Sequence, residues 1–214
     1  MKNLKVALLP IDHLIYAAPT LEGGMDKIEA LLGVRPVYGG QHPGRGTHNA
    51  LLRLGPAIYL EVIAPDPAQP DVPRPLWITA DTVAEPRLIY WAAKSDNLEA
   101  LAVKSRNGGL NLGEVSPGSR ALPDGQLLRW RLTDPRANPA GGIIPFFIDW
   151  LDTPHPARGL PDGGALLSLE AQHPQAEKVQ AQLQMLGLEL NARYHPEPTL
   201  FARIRTSNGE ILLK

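Results

Sequence analysis

The chain contains no cysteine among its 214 residues. It therefore has no disulfide bonds, no thiolate metal site and no cysteine nucleophile, and this composition fits a reducing cytoplasm. A strong charge of either sign is also absent, because 21 basic and 22 acidic residues leave a formal net charge of -1. The sequence thus offers no basic stripe for nucleic acid and no acidic tail for a basic partner.

Long hydrophobic runs are missing as well. The first ten residues have a basic flank, but their apolar run covers only about four residues, whereas a signal peptide needs roughly 7–15 and a membrane span about 20. We therefore predict an untargeted cytoplasmic protein with no membrane partner. Proline and glycine, in contrast, number 22 and 20, which favours many turns between short elements over a helical bundle.

The hydrophobic pattern repeats loosely three times, and each unit is predicted to contain a strand, a helix and three further strands. The predicted helices cover residues 21–32, 98–104 and 175–186, each closed by glycine. The predicted strands cover residues 11–18, 34–38, 48–54, 57–64, 88–93, 110–115, 127–132, 143–150, 165–169, 188–194, 200–205 and 210–213. Two segments rich in proline and aspartate, 65–75 and 153–164, are predicted loops.

A βαβββ unit has a helix on only one face of its sheet, so the other face must be buried. Two units that pair into one cup-shaped curved sheet satisfy this need, and such a cup is a natural ligand cavity. We predict an α+β fold with a paired-unit domain over residues 1–155. The third unit, residues 156–214, packs against that domain or lies at the interface of a homodimer. The alternative is a ferredoxin-like α+β sandwich without a cavity.

The most compact set of chemically active side chains is His13, His48 and Glu61, each on a separate predicted strand. Two imidazoles and a carboxylate form the smallest set that could hold a divalent metal and leave positions open for chemistry. These ligands suit zinc or iron, and manganese or nickel also fit. We therefore predict His13, His48 and Glu61 as metal ligands.

Strand register decides whether two of these residues meet. A two-residue turn at Gly55 and Pro56 would pair Ala50 with Glu61 and make His48 a diagonal neighbour of Glu61, with Cβ atoms about 7 Å apart. A slip of one residue would turn His48 to the opposite face of the sheet.

Each of the three residues also has a purely structural interpretation. His13 could be a core histidine bonded to a carbonyl, and His48 could satisfy loop carbonyls. Glu61 lies in an apolar strand, so its carboxylate must be solvated, bound to metal or paired with a cation such as Arg53. In the glycine-rich segment 39–46, Arg45 could meet an anionic substrate or simply be a solvated turn residue.

Three segments carry a resemblance to a known family: residues 11–17 around His13, residues 40–51 around His48, and residues 59–66 around Glu61. Together they look like the glyoxalase-like domain family of the vicinal-oxygen-chelate superfamily, and residues 145–150 are similar to a recurring feature of that family. The resemblance covers roughly residues 10–155. The superfamily includes glyoxalases, extradiol dioxygenases, epimerases, and proteins that modify or sequester antibiotics.

The resemblance implies that the first and fourth strands of a unit lie side by side, which brings His13 to the other flank of Glu61. It also implies ligands from both paired units, yet here Leu88 or Ile89 stands where the second unit would supply a histidine. Asp149 falls near the position that matches Glu61, so it is either a fourth ligand or a solvated residue at a strand end.

The implied function is that of a lyase, isomerase or dioxygenase in which a divalent metal polarises two adjacent oxygens of a small substrate. Glu61 is the predicted catalytic carboxylate. We expect Arg45, Asn49, Tyr59 and Asp149 to contact the substrate. Without a ligand from the second unit, the metal would be weakly bound or the site would be a metal-free polar pocket. The alternative function is a non-catalytic protein that sequesters a small molecule in the same cavity.

Overall fold

A computed structural model of the protein describes residues 10–73, 84–121, 127–137 and 139–214. The N-terminal apolar run and the end of the predicted loop 65–75 lie outside these ranges. In chain order the elements are β1 Ile11–Ala17, α1 Leu21–Leu32, β2 Val37–His42, β3 Thr47–Gly55, β4 Ile58–Pro65, β5 Arg87–Lys94, α2 Leu98–Asn107, β6 Ser116–Ala121, β7 Leu127–Leu132, β8 Phe146–Asp149, β9 Ala165–His173, α3 Ala176–Met185, β10 Ala192–Tyr194, β11 Thr199–Thr206 and β12 Gly209–Leu213.

Helix α1 shows how local sequence sets the bounds of an element. The Thr20 side chain accepts a hydrogen bond from the Gly23 amide at the N-terminus. At the C-terminus Gly33 adopts a φ of 77°, and its amide donates to the carbonyl of Glu29. Gly24 lets the helix approach the sheet closely, since a Cβ there would lie 2.6 Å from Val62.

The first two units share one eight-stranded sheet with the strand order β2-β3-β4-β1-β5-β8-β7-β6. In each unit the first strand runs parallel to the fourth, and the antiparallel pair β1–β5 joins the units. The predicted α+β fold with paired βαβββ units in a curved sheet is therefore confirmed. The third unit keeps the same element order, but its separate sheet has the strand order β10-β9-β11-β12, so it is not a topological copy.

The two faces of the large sheet bury different cores. The outer face packs against the helices and the third unit in one continuous cluster that includes Leu14, Ile28, Trp91, Leu183 and Leu213. The inner face carries a smaller cluster: Ile15, Ala17, Ile63, Tyr90, Ala92, Leu132, Phe146 and Ile148. The third unit thus packs on the outside of the sheet and leaves the inner face to the paired units.

Two predicted strands are wrong for the same physical reason. Residues 110–115 form no strand, and the predicted strand 188–194 shrinks to Ala192–Tyr194. Both segments directly follow a helix and donate a hydrogen bond back to it, from Leu110 to Ser105 and from Leu188 to Leu183. Their leucines are buried in irregular chain without ladder pairing, which a pattern of apolar residues cannot distinguish from a strand.

Within the described parts of the chain, no helix has the length and apolar character that a membrane crossing requires.

Candidate active site

The hairpin β3–β4 positions the candidate site, and its register differs from the predicted one. Leu51 lies opposite Glu61, and the pairing shifts between Arg53 and Gly55. The shift leaves Leu54 without a direct partner and moves the turn to Pro56 and Ala57. Gly55 permits this bulge because its φ of 153° lies outside the range of most L residues. The predicted pairing of Ala50 with Glu61 is therefore wrong by one residue.

The shifted register exchanges two neighbouring side chains. His48 pairs with Ala64 and points away from Glu61, and its ring contacts Tyr38 at a centroid distance of 6.4 Å. Asn49 takes the diagonal position on the face of Glu61, where it is buried. The structure therefore brings Asn49, rather than His48, to the Glu61 carboxylate.

The carboxylate of Glu61 is the centre of a buried polar cluster on the inner face. Its Oε1 accepts a hydrogen bond of 2.6 Å from Asn49 Nδ2. Its Oε2 lies 3.5 Å from His13 Nε2, and its Oε1 lies 3.7 Å from His42 Nε2. Glu61 is only 7% exposed, so these three side chains supply most of its polar surroundings.

Asn49 connects Glu61 to a second imidazole and to the second unit. Its Nδ2 also lies 3.2 Å from His42 Nε2, and its Oδ1 accepts from Arg120 Nη1 at 3.4 Å. The other ring nitrogen of His42 is 2.9 Å from the hydroxyl of Thr47. This pattern assigns the Nδ1–H tautomer to His42. Burial lowers the pKa of His42, the nearby Glu61 charge opposes that shift, and the charges of Arg120 and Arg45 reinforce it.

Asp12 orients His13 from the other side. A bulge in the β1–β5 pairing falls between Ile11 and His13, and the Asp12 carboxylate lies 2.8 Å from His13 Nδ1. The same carboxylate accepts from Trp150 Nε1 at 3.0 Å and contacts His155 Nε2 at 3.1 Å. Burial by itself would raise the pKa of Asp12, but the hydrogen bonds and charges of His13 and His155 outweigh it and lower the pKa well below its usual range.

His13 therefore lies between two carboxylates. With a proton on Nδ1 directed at Asp12, its Nε2 faces Glu61 Oε2 at 3.5 Å. A proton on either of these two atoms makes the contact favourable, whereas without one two lone pairs face each other. The structure thus holds an imidazole and a carboxylate, two side-chain types that commonly perform acid–base chemistry, at ion-pair distance from each other.

The remaining predicted site residues lie at different distances from this cluster. Tyr59 is buried and stacks on His13 with a centroid distance of 4.6 Å and an interplanar angle of 16°. Arg45 is exposed in the β2–β3 turn, and its charge reaches His42. Asp149 is not in the cluster: it lies opposite Arg131 in the β7–β8 ladder, and its Oδ1 accepts from the Leu151 amide at 2.9 Å. Because Ile148 packs on the inner face, alternation turns Asp149 to the other face.

The symmetry of the sheet identifies the matching positions in the second unit. Leu14 pairs with Trp91 at the centre of the β1–β5 ladder, so Tyr90 corresponds to His13 and Phe146, the partner of Ala92, corresponds to Glu61. The prediction that Leu88 or Ile89 and Asp149 occupy these positions is therefore wrong. The second unit contributes aromatic rings, which are 5.3 Å apart between centroids.

These donors do not form a metal cage. Among the residues that the structure describes, no group of three or more His, Cys, Asp or Glu side chains converges to hold an ion. His48 is turned away, and the second unit offers no ligand at the matching positions. The Asn49 amide already bonds to the atoms of Glu61 and His42 that would face a metal. The predicted trio His13, His48 and Glu61 does not fit a common ion in this arrangement.

A cavity of about 400 Å³ lies elsewhere, between the β3–β4 hairpin and the third unit. It is lined by Arg53, Asp162 and Arg205 together with turn residues. Arg53 pairs with Asp162, and Arg205 with Glu210, so the charges there are balanced. Arg53 is therefore not the partner of Glu61, and this cavity is separate from the acid–base cluster.

Four residues of the cluster were missed by sequence reasoning as site residues: Asp12, His42, Arg120 and His155. Asp12 and His42 lie inside segments that carry the family resemblance. Strand alternation, however, assigns Asp12 to the face of the sheet opposite His13 unless the bulge between Ile11 and His13 is known. Arg120 and His155 lie far along the chain, in the second unit and in a predicted loop. The sequence holds no local signal that would place them beside Glu61.

Comparison with known proteins agrees with the fold. The model of a family described as a glyoxalase-like domain matches residues 11–187, and no curated protein is significantly similar to the chain. A hypothetical protein from Staphylococcus aureus superposes with a TM-score of 0.60 at 15% identity, over 94% of this chain and 83% of that one.

Methylmalonyl-CoA epimerases give weaker superpositions. A variant of the Streptomyces coelicolor enzyme has a TM-score of 0.46 at 19% identity, over 70% of this chain and all of that one (100%). The Mycobacterium tuberculosis enzyme has a TM-score of 0.40 at 20% identity, over 67% and 89% of the two chains. With the family match over most of its length and the paired βαβββ units, the chain belongs to the glyoxalase-like domain family.

Proposed function

We propose that the protein is an enzyme that moves a proton at a carbon atom next to a carbonyl group in a small substrate, with Glu61 as the base. The observation that carries this proposal is the chain Asp12–His13–Glu61, in which a buried imidazole lies between two carboxylates. A buried carboxylate with a relay behind it is the arrangement that general acid–base catalysis requires.

In the proposed reaction Glu61 Oε2 takes the proton, the C–H bond breaks, and its electron pair moves to the carbonyl oxygen. His13 Nε2, at 3.5 Å from Oε2, accepts or returns the proton while Asp12 fixes the orientation of the ring. Asn49 fixes the other carboxylate oxygen at 2.6 Å. Reprotonation of the same carbon gives isomerisation or epimerisation, and loss of a neighbouring group gives elimination.

The negative charge that develops on the substrate oxygen needs a cation. Arg120 supplies one, since its guanidinium donates to Asn49 Oδ1 and to the carbonyl of Gly39. Arg45 adds positive charge near His42 at the β2–β3 turn. In a site that excludes water, such fixed charges stabilise an enolate more than they would in solution. Together they favour a substrate that carries an oxygen anion or forms one during the reaction.

Members of the vicinal-oxygen-chelate superfamily, which the sequence resembles, usually bind a divalent metal. If bound here, zinc or iron would supply Lewis-acid polarisation of the substrate oxygens. His13 and His42 are the two imidazoles beside Glu61, but the Asn49 amide lies between His42 and Glu61. The proposed proton transfer therefore uses the residues of the chain alone. Metal binding, a cytoplasmic location and a homodimer stay predictions from the sequence.

A second candidate function is binding without turnover. The observation that favours it is the aromatic lining beside the cluster, where Tyr90, Trp130, Phe146 and Trp150 pack on the inner face. Such a lining would hold the apolar part of a small molecule.

Deuterium uptake from heavy water separates the two functions. Small 2-oxo acids, 1,3-dicarbonyl compounds and thioesters are incubated with the protein, and loss of the proton signal next to the carbonyl is followed by NMR. The enzyme should catalyse exchange in at least one compound, and Glu61→Gln should reduce the rate at least about 100-fold. Glu177→Gln, on α3, is the matched control. Compounds that bind near Glu61 without any exchange would establish the binding function instead.

A further inference from the structure

Residues 150–160 run across the inner face of the sheet, and we call this segment the strap. It follows β8 and includes a short 3-10 turn, Pro156–Gly159. Ala157 is fully buried and packs with Leu51 and Tyr59. At its start Leu151 has a φ of 54°, an unfavourable conformation for a residue that is not glycine. The strap therefore covers the face on which Glu61 and His13 lie.

Two hydrogen-bonding side chains of the strap contact the same carboxylate of the site. Asp12 Oδ2 accepts from Trp150 Nε1 at 3.0 Å and lies 3.1 Å from His155 Nε2. Asp12 Oδ1 remains for His13 Nδ1, at 2.8 Å. Two strap residues thus occupy one oxygen of Asp12, and this leaves the other oxygen to His13.

The hydrogen bonds of His155 define its own tautomer. Its Nδ1 accepts from the Ala157 amide at 3.2 Å, so Nε2 carries the proton and donates to Asp12. Its ring also packs edge-on against Tyr59 at 5.7 Å and Trp150 at 5.9 Å between centroids. Tyr59 in turn stacks on His13. His155 and His13 are therefore linked indirectly through two shared neighbours, the Asp12 carboxylate and the Tyr59 ring.

We propose that His155 is a positioning residue: by donating to Asp12 Oδ2 it holds that carboxylate in the orientation that fixes the His13 ring beside Glu61. At metal sites, loss of the residue that orients a ligating histidine typically costs about 10- to 100-fold in activity, and we expect a loss of the same order for the orientation of His13. The positioning role deepens the proposed function and rests on it only for its effect on turnover.

Two substitutions at His155 separate positioning from packing. His155→Gln keeps an N–H near the position of Nε2 and so retains the donor to Asp12. His155→Asn keeps an acceptor near the position of Nδ1 for the Ala157 amide, but its shorter side chain loses the donor to Asp12. His195→Asn, in the third unit, is the control for loss of a histidine outside the site.

The direct readout is the His13 Nδ1–H signal in the proton NMR spectrum of protein labelled with ¹⁵N-histidine. We expect a slowly exchanging signal in the unaltered protein, in His155→Gln and in His195→Asn, and its loss in His155→Asn. The second readout uses a carbonyl compound that the protein exchanges in the deuterium-uptake test. With this substrate the turnover rate of His155→Asn should fall about tenfold or more, while KM changes little. The turnover rate should recover in His155→Gln.

A persistent His13 Nδ1–H signal in His155→Asn would overturn the positioning role. Equal loss of the signal in both variants would also overturn it, because the retained donor would then have no effect. If the signal responds as expected while Glu61→Gln leaves deuterium uptake unchanged, the positioning role stands and the proposed function fails.

Discussion

Asn49 is the residue that determines how the cluster is connected. One side-chain amide group bonds to Glu61 and His42, and its oxygen accepts from Arg120. From the sequence, His13 and Glu61 were predictable as buried polar residues that meet, because imidazole and carboxylate side chains in apolar strands need partners. His42 was not, because it stands in a glycine-rich segment that lacks a clear strand pattern and its partner Asn49 depends on the register.

Stability should depend on pH through His42. Its folded-state pKa is lowered, chiefly by burial, whereas an unfolded histidine titrates near about 6.5. As pH falls below that value, the unfolded chain gains a proton that the folded protein does not, so the free energy of unfolding decreases. His42→Gln removes this linkage and should make the decrease shallower by up to about 1.4 kcal/mol per pH unit.

Urea unfolding of both proteins between about pH 7.5 and pH 5.5 measures this difference. His195→Gln should keep the slope of the unaltered protein. Identical slopes for His42→Gln and the unaltered protein would contradict the assignment of a neutral, partly buried His42.

At the scale of elements, apolar periodicity and the closing Gly33 predicted helix α1 with the bounds that it has, and the structure adds Thr20 as the cap of its N-terminus. The hairpin β3–β4 was predicted as an element, but its predicted register was wrong by one residue. The shift arises from a bulge between Arg53 and Gly55, and a bulge adds one residue to a strand without changing the pattern that locates the strand. One residue of shift is sufficient to replace His48 with Asn49.

The register predicts that His48 is dispensable for the chemistry. His48→Ala should leave deuterium uptake within about twofold of the unaltered rate, because the side chain lies on the face opposite Glu61. His42→Ala should reduce the rate, since it removes a partner of the Asn49 amide. The two variants delete the same type of side chain from neighbouring strands, so they control for each other. A rate loss in His48→Ala alone would support the register predicted from the sequence.

For the whole molecule, the third unit shares the outer core of the large sheet. Leu183 on α3 and Trp91 on β5 belong to one buried cluster, and the Leu88 amide donates to the carbonyl of Lys214 at 2.8 Å. The sequence predicted three units but could not show how the third one packs, because strand order and contacts over long separations leave no local pattern. The domain boundary after residue 155 stays a prediction.

We expect the chain to unfold in a single cooperative transition. Leu183→Ala should lower the free energy of unfolding by about 2–5 kcal/mol, as for other fully buried leucines. Hydrogen exchange at the amides of β5 should accelerate along with that of α3, although β5 lies in the paired-unit domain. Exchange that accelerates only within residues 165–214 would instead indicate a third unit that unfolds independently.

The central claim is that Glu61 and His13 transfer a proton without help from a metal. The most direct test measures deuterium uptake by an exchanging substrate before and after the protein is treated with chelator, together with elemental analysis of the same preparations. The proton-transfer account predicts an unchanged rate after chelation and at least about a 100-fold loss in Glu61→Gln at equal metal content. A rate that disappears on chelation and returns with added zinc or iron would contradict it.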